Sequence, residues 1–118
     1  MATPKRVLRA IEKRDGGRVC AWPDPHPCDT ETVVPQHRQG GMGGGNSKHR
    51  LSNVIWLCSR INGLIEDKSD WAEVARKFGV KVKLGQDTTQ IKVTYPDGIK
   101  YLLDDYGGRR AEHETGNE

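Results

Sequence analysis

Apolar positions in this chain recur in short stripes, separated by polar, glycine-rich or proline-rich stretches. Val7, Leu8 and Ile11 repeat at helical spacing behind Pro4, which suits a first helical turn, so residues 4–15 are predicted helical and Gly16-Gly17 ends them. Arg18 to Ala21 reads as a short strand. The segment from Trp22 to Cys28 reads as irregular, because its prolines remove donors and fix the backbone. Thr32-Val33-Val34 is β-branched and predicts a strand running into Gln36 and His37. A glycine-rich loop follows, then the apolar run Val54–Leu57, expected as a buried strand. Ile61, Leu64 and Ile65 mark a helix over 58–66. Trp71, Val74, Ala75 and Phe78 mark another, with Ser69 or Asp70 as its cap and Gly79 as its end. Val80 to Leu84 alternates like a strand. Residues 91–95 and 99–103 flank Pro96-Asp97-Gly98 and predict a β-hairpin.

These elements define an α+β protein. One domain is expected over residues 1–106, with its core at about 14–80, a hairpin at about 90–104 and a frayed tail over 107–118. Only 34% of the 118 residues are hydrophobic and 30% are charged, so the core is modest and a bound metal would help it. The net charge of +3 hides an asymmetry: residues 1–60 carry ten Lys/Arg against five Asp/Glu, and residues 61–118 carry nine against eleven. The basic half suits an anionic partner such as nucleic acid. Three cysteines cannot complete a set of intramolecular disulfides. No apolar run approaches a membrane span and no signal peptide is visible, so no membrane partner and a cytoplasmic location are expected.

The candidate chemistry lies in an ordered pattern. His37 ends the strand in Val33-Val-Pro-Gln-His-Arg38, Asn53 follows the glycine loop, and Asn62 sits in Leu57-Cys-Ser-Arg-Ile-Asn-Gly-Leu-Ile-Glu66. Each residue alone has an ordinary role: a surface His, a turn or cap Asn, an Asn-Gly turn, a solvated acidic face. Taken jointly, with their flanking text, they resemble the HNH endonuclease family over about residues 14–80, and in particular small HNH proteins of actinobacterial bacteriophages. The resemblance implies a ββα-metal core, preceded here by a basic helix and followed by an amphipathic helix and the hairpin. It implies DNA phosphodiester hydrolysis in phage DNA processing, with His37 as the general base that activates water. Asn53 becomes the residue that orients that base. Gln36, Asn62 and Glu66 become ligands of one divalent cation, Mg²⁺ or Mn²⁺ by their oxygen donors.

Gln36 stands where the family carries Asp or His, and its neutral amide weakens the expected metal affinity. That departure keeps open a catalytically weak or inactive relative that binds nucleic acid or a host protein. Arg38, Lys48, Arg50 and Arg60 flank the pattern and are expected to contact DNA phosphates. His49 is a rival base, ranked second because its glycine-rich surroundings promise less rigidity. Cys20, Cys28 and Cys58 are irregularly spaced, and Ile61 stands where a fourth cysteine would complete a zinc site. The spacing favours thiols buried as small apolar residues. The other reading is a structural zinc on the three cysteines, completed by His26.

Overall fold

The computed structural model describes residues 3–40 and 49–111. It is a small α+β protein with three helices and two small antiparallel sheets among the described residues. Helix α1 spans Lys5–Asp15 and stops at Gly16, whose φ of 74° is left-handed. Strands β1 (Val33–His37) and β2 (Val54–Cys58) pair from Val33 opposite Cys58 to His37 opposite Val54. Pro35 is tolerated because this sheet has two strands and each is an edge.

Helix α2 (Ser59–Asp67) leaves the end of β2 directly, and α3 (Ser69–Lys77) follows after Lys68. Ser69 is the first helical residue rather than the cap, and no side chain caps that end. The second sheet holds β3 (Val93–Thr94), β4 (Lys100–Leu103) and β5 (Arg109–Ala111) in that order. The hairpin is as expected, with the Gly98 N–H donating to the Tyr95 carbonyl at 2.8 Å.

Three expectations are corrected. Arg18–Ala21 is not a strand; the Ala21 N–H donates to the Trp56 carbonyl at 2.8 Å and the Cys20 sulfur accepts from the Cys58 N–H at 3.2 Å, with no ladder between them. Val80–Leu84 alternates in sequence but joins no sheet. The Val80 and Lys81 N–H groups return to the Ala75 carbonyl and the Val82 N–H goes to the Arg38 carbonyl, so the first three donors of the run are spent outside any ladder. Residues 109–111, expected in a frayed tail, add β5 to β4.

Cross-strand partners share a face, which divides the β1–β2 ribbon. Val54 and Trp56 face α1 and bury Val7 and Ile11. Ile55 and Leu57 face α2 and bury Ile61 and Ile65 in the larger core, which also holds Trp22, Val80, Val93 and Leu103. His37 therefore belongs to the α1 face and Gln36 to the α2 face. A buried network ties the layers together. Arg14 pairs with Asp15 at 2.9 Å and donates to the carbonyls of Leu51 and Val54. The Tyr95 hydroxyl donates to the same Asp15 at 3.1 Å, joining the second sheet to α1.

Candidate functional site

One end of the ribbon carries a cluster of soft donors. The ligand atoms of Cys20, His26, Cys28 and Cys58 all lie within 4.8 Å of one another, close enough to hold a metal ion. His26 Nε2 is 3.7 Å from the sulfur of Cys20 and 3.7 Å from that of Cys58. Two ligands on one tetrahedral zinc stand about 3.5–3.8 Å apart, from bond lengths of about 2.0–2.3 Å. His26 Nδ1 lies 2.8 Å from the carbonyl of Asp24, an acceptor that fixes the proton on Nδ1 and leaves Nε2 as the ligand. All three cysteines are free thiols.

Electrostatics at the cluster match its donors. Burial raises the Cys58 thiol, but the N–H groups of Ile61 and Asp29 and the contacts with His26 and Cys28 outweigh it and bring the thiol down to about 7. Cys58 immediately precedes α2, so the positive end of that helix favours its thiolate. Burial and the two neighbouring sulfurs push Cys28 up to about 12, and burial raises Cys20 as well. Without a cation, three crowded sulfurs cannot all be ionised. The four ligands come from the segment after α1, the proline loop and the end of β2, so one ion would fasten a loop that has almost no backbone ladder. Trp22 supports the same loop from the other side, 5.6 Å from Trp71 and edge-on to Phe78 at 5.3 Å. The irregular spacing had favoured simple buried thiols; the fold brings all four donors together because the prolines turn His26 and Cys28 back over Cys20.

The other end of the ribbon carries His37, the last residue of β1. Its Nε2 lies 3.2 Å from Nδ1 of His49, with the rings tilted by 51°, so one ring donates and the other accepts. His49 is 4% exposed. The expectation that its surroundings would leave it loosely held is corrected, since it is packed beside His37. Asn53 grips the two residues after His37. Its Oδ1 accepts from the Gln39 N–H at 2.8 Å, its Nδ2 donates to the Gln39 carbonyl at 3.3 Å, and its own carbonyl accepts from the Arg38 N–H at 2.7 Å.

The three oxygen donors on the α2 side differ in accessibility. Gln36 is half-buried and its amide donates to the His37 carbonyl at 3.4 Å. Asn62 has a buried Oδ1 with no hydrogen-bond partner among the described residues. An orphaned buried carbonyl oxygen needs a water or a cation as partner, and a hard cation fits that donor. Glu66, one turn further along α2, is exposed.

Of the four cations assigned to DNA, the fold redirects two. Arg38 is fully buried and donates to the carbonyls of Gly79, Ser52, Thr88 and Ile91 at 2.7–2.9 Å. Burial lowers it to about 10, still cationic at neutral pH, and it braces the end of β1 rather than meeting phosphate. Arg50 is exposed but paired with Asp105 at 2.6 Å and Asp87 at 3.7 Å. Arg60 is exposed on α2. Lys48 lies outside the described residues. Nothing in the local sequence distinguishes Arg38 from a surface arginine, because its acceptors lie 14 to 53 residues away.

No helix among the described residues is long and apolar enough to cross a membrane. No protein-family model, no curated protein and no solved structure matches this chain, so the arrangement of its residues carries the functional argument.

Proposed function

We propose that this protein is a metal-dependent DNA endonuclease of the HNH type, with His37 as general base. The single observation that carries the reading is the clamp of Asn53 on residues 38 and 39, which fixes the backbone immediately after His37. A general base must be held within hydrogen-bond reach of the water it deprotonates, so a fixed imidazole at the mouth of a two-stranded ribbon suits that task. His49 holds the ring from one side. The orphaned Oδ1 of Asn62, with Gln36 and Glu66, would hold one Mg²⁺ or Mn²⁺. Such a cation supplies charge neutralisation at the phosphate and stabilisation of the leaving oxygen.

Cys20, His26, Cys28 and Cys58 would hold zinc in a closed, structural role, since four protein donors leave no open position for a substrate. In the cytoplasm the thiols remain available as ligands. The likeness to phage HNH proteins supports a role in phage DNA processing. A second reading rests on Gln36: its neutral amide binds a cation more weakly than a carboxylate, which favours a weakly active or inactive relative that binds nucleic acid or a host protein. Nicking of supercoiled plasmid separates the two. The endonuclease reading expects nicking with Mg²⁺ or Mn²⁺ and its loss in His37→Ala; it fails if no divalent ion supports cleavage, or if His37→Ala nicks like the parent.

A further inference from the structure

The corrected places of Arg38 and Arg50 leave a DNA-acting protein needing its phosphate contacts elsewhere, and the fold offers them in its acidic C-terminal half. A groove of about 260 Å³ runs between the end of α3 and the second sheet, lined by Arg76, Lys77, Gln90, Lys92, Thr94 and Lys100 among others. All four cations are exposed, and no carboxylate lines the groove. Arg76, Lys77 and Lys100 have no ion-pair partner among the described residues.

The groove is built rather than accidental. Lys92 and Thr94 alternate on one face of the second sheet with Val93 buried behind them, and Lys100 pairs directly with Thr94. The end of α3 is pinned to the same strand by the Thr94 N–H donating to the Phe78 carbonyl at 2.9 Å. Gly79, at φ 75°, lies so close to Lys92 that a Cβ would stand 1.7 Å from its carbonyl oxygen. The negative end of α3 accounts for cations at Arg76 and Lys77, but not for Lys92, which precedes β3, or Lys100, which starts β4.

The buried arginine braces the wall of the groove. Two of its wall carbonyls, Gly79 and Ile91, accept hydrogen bonds from the guanidinium of Arg38, the residue after His37. We propose that this groove binds the phosphodiester backbone of DNA through Arg76, Lys77, Lys92 and Lys100. The proposal rests on the reading of the chain as acting on DNA. Gln90 and Thr94 add neutral donors for phosphate oxygens, and the contacts carry no sequence information.

The test is salt-dependent binding of a labelled DNA duplex, measured by fluorescence anisotropy in the His37→Ala background so that no strand is cut. Relative to that background, Lys77→Gln/Lys100→Gln is expected to weaken binding at least tenfold and to reduce the slope of log affinity against log salt by about 1.8, or about 0.9 per phosphate contact. Lys100→Glu alone, as a second variant, is expected to weaken binding as well. The charge-matched control Lys5→Gln/Arg6→Gln on α1 is expected to stay within twofold. The proposal is overturned if both groove variants bind within twofold of the background, if the control loses as much, or if the background binds no duplex. Displacement of the duplex by oligoglutamate as effectively as by unlabelled DNA also overturns it, in favour of an acidic protein partner. Groove-dependent binding by a protein that never nicks would refute the endonuclease reading alone. Nicking that is indifferent to the groove variants, with unchanged binding, would refute the groove alone.

Discussion

The two ends of the β1–β2 ribbon hold different kinds of site. Val33 and Cys58 pair at one end, His37 and Val54 at the other, about 13 Å away at the rise of an extended strand. The Cys58 end gathers three sulfurs and an imidazole nitrogen, four soft or borderline donors that close around a point. The His37 end holds an imidazole pair and a turn clamped by Asn53. A closed set of four suits a structural ion, whereas a sparse set of oxygens leaves positions for water and phosphate. The two ends of one short ribbon thus differ in their donors, and α2, which carries Asn62 and Glu66, starts at the first of them.

The largest expected effect is at the Cys58 end. Zinc-finger peptides draw about 10–16 kcal/mol from their metal, and this chain has a modest core, so stripping the ion with a strong chelator is expected to cost most of the tertiary structure. Near-UV circular dichroism should collapse, and the same should hold for Cys58→Ser. A purified protein with no stoichiometric metal, or a thermal midpoint untouched by chelation, would remove the structural role.

Next in size is the loss at the other end. His37→Ala is expected to reduce nicking by about 10²–10⁴-fold, the usual contribution of a positioned general base, while leaving metal content and melting unchanged. Equal losses of folding in His37→Ala and Cys58→Ser would mean that the two ends are not separable.

The pH dependence sharpens the first site. In the metal-free protein the lowered Cys58 thiol contributes stability above its ordinary value of 9, and that contribution is lost as pH falls through about 7. The raised Cys28 thiol acts oppositely: its contribution is present below 9 and is lost as pH rises through about 12. At pH 8 Cys58 is mostly ionised while Cys20 and Cys28 still hold their protons. Metal uptake there should release about two protons, and affinity should rise about a hundredfold per pH unit. Weakly buffered titration with a pH indicator reads this directly, and uptake without proton release would exclude thiolate ligation.

The smallest effect concerns Gln36. Gln36→Asp places a charged oxygen on the α2 face of the ribbon, and is expected to lower the Mg²⁺ concentration for half-maximal nicking several-fold, since hard cations prefer carboxylates. An unchanged or higher requirement would remove Gln36 from the ion.

Much of the frame was legible in the sequence because its signals are local. Helical spacing in Val7, Leu8 and Ile11, and again in Trp71, Val74, Ala75 and Phe78, identified α1 and α3, and turn chemistry at Pro96-Asp97-Gly98 identified the hairpin. Alternation at Val80–Leu84 misled, because a strand needs a partner edge and the N–H groups of Val80, Lys81 and Val82 go to Ala75 and Arg38 instead. The ordered pattern of His37, Asn53 and Asn62 selected the catalytic candidates without showing their contacts.

Tertiary structure alone decided the rest, wherever the partners lie far apart along the chain. It converted irregularly spaced thiols into one cluster by folding the proline loop over the start of α2. It turned Arg38 from a surface cation into a buried brace and committed Arg50 to Asp105. It placed His49 against His37 and assembled four cations into a groove within the half of the chain with an acidic excess. Periodicity reports which face of one element is apolar, but which distant donor meets which acceptor is fixed only when the elements pack.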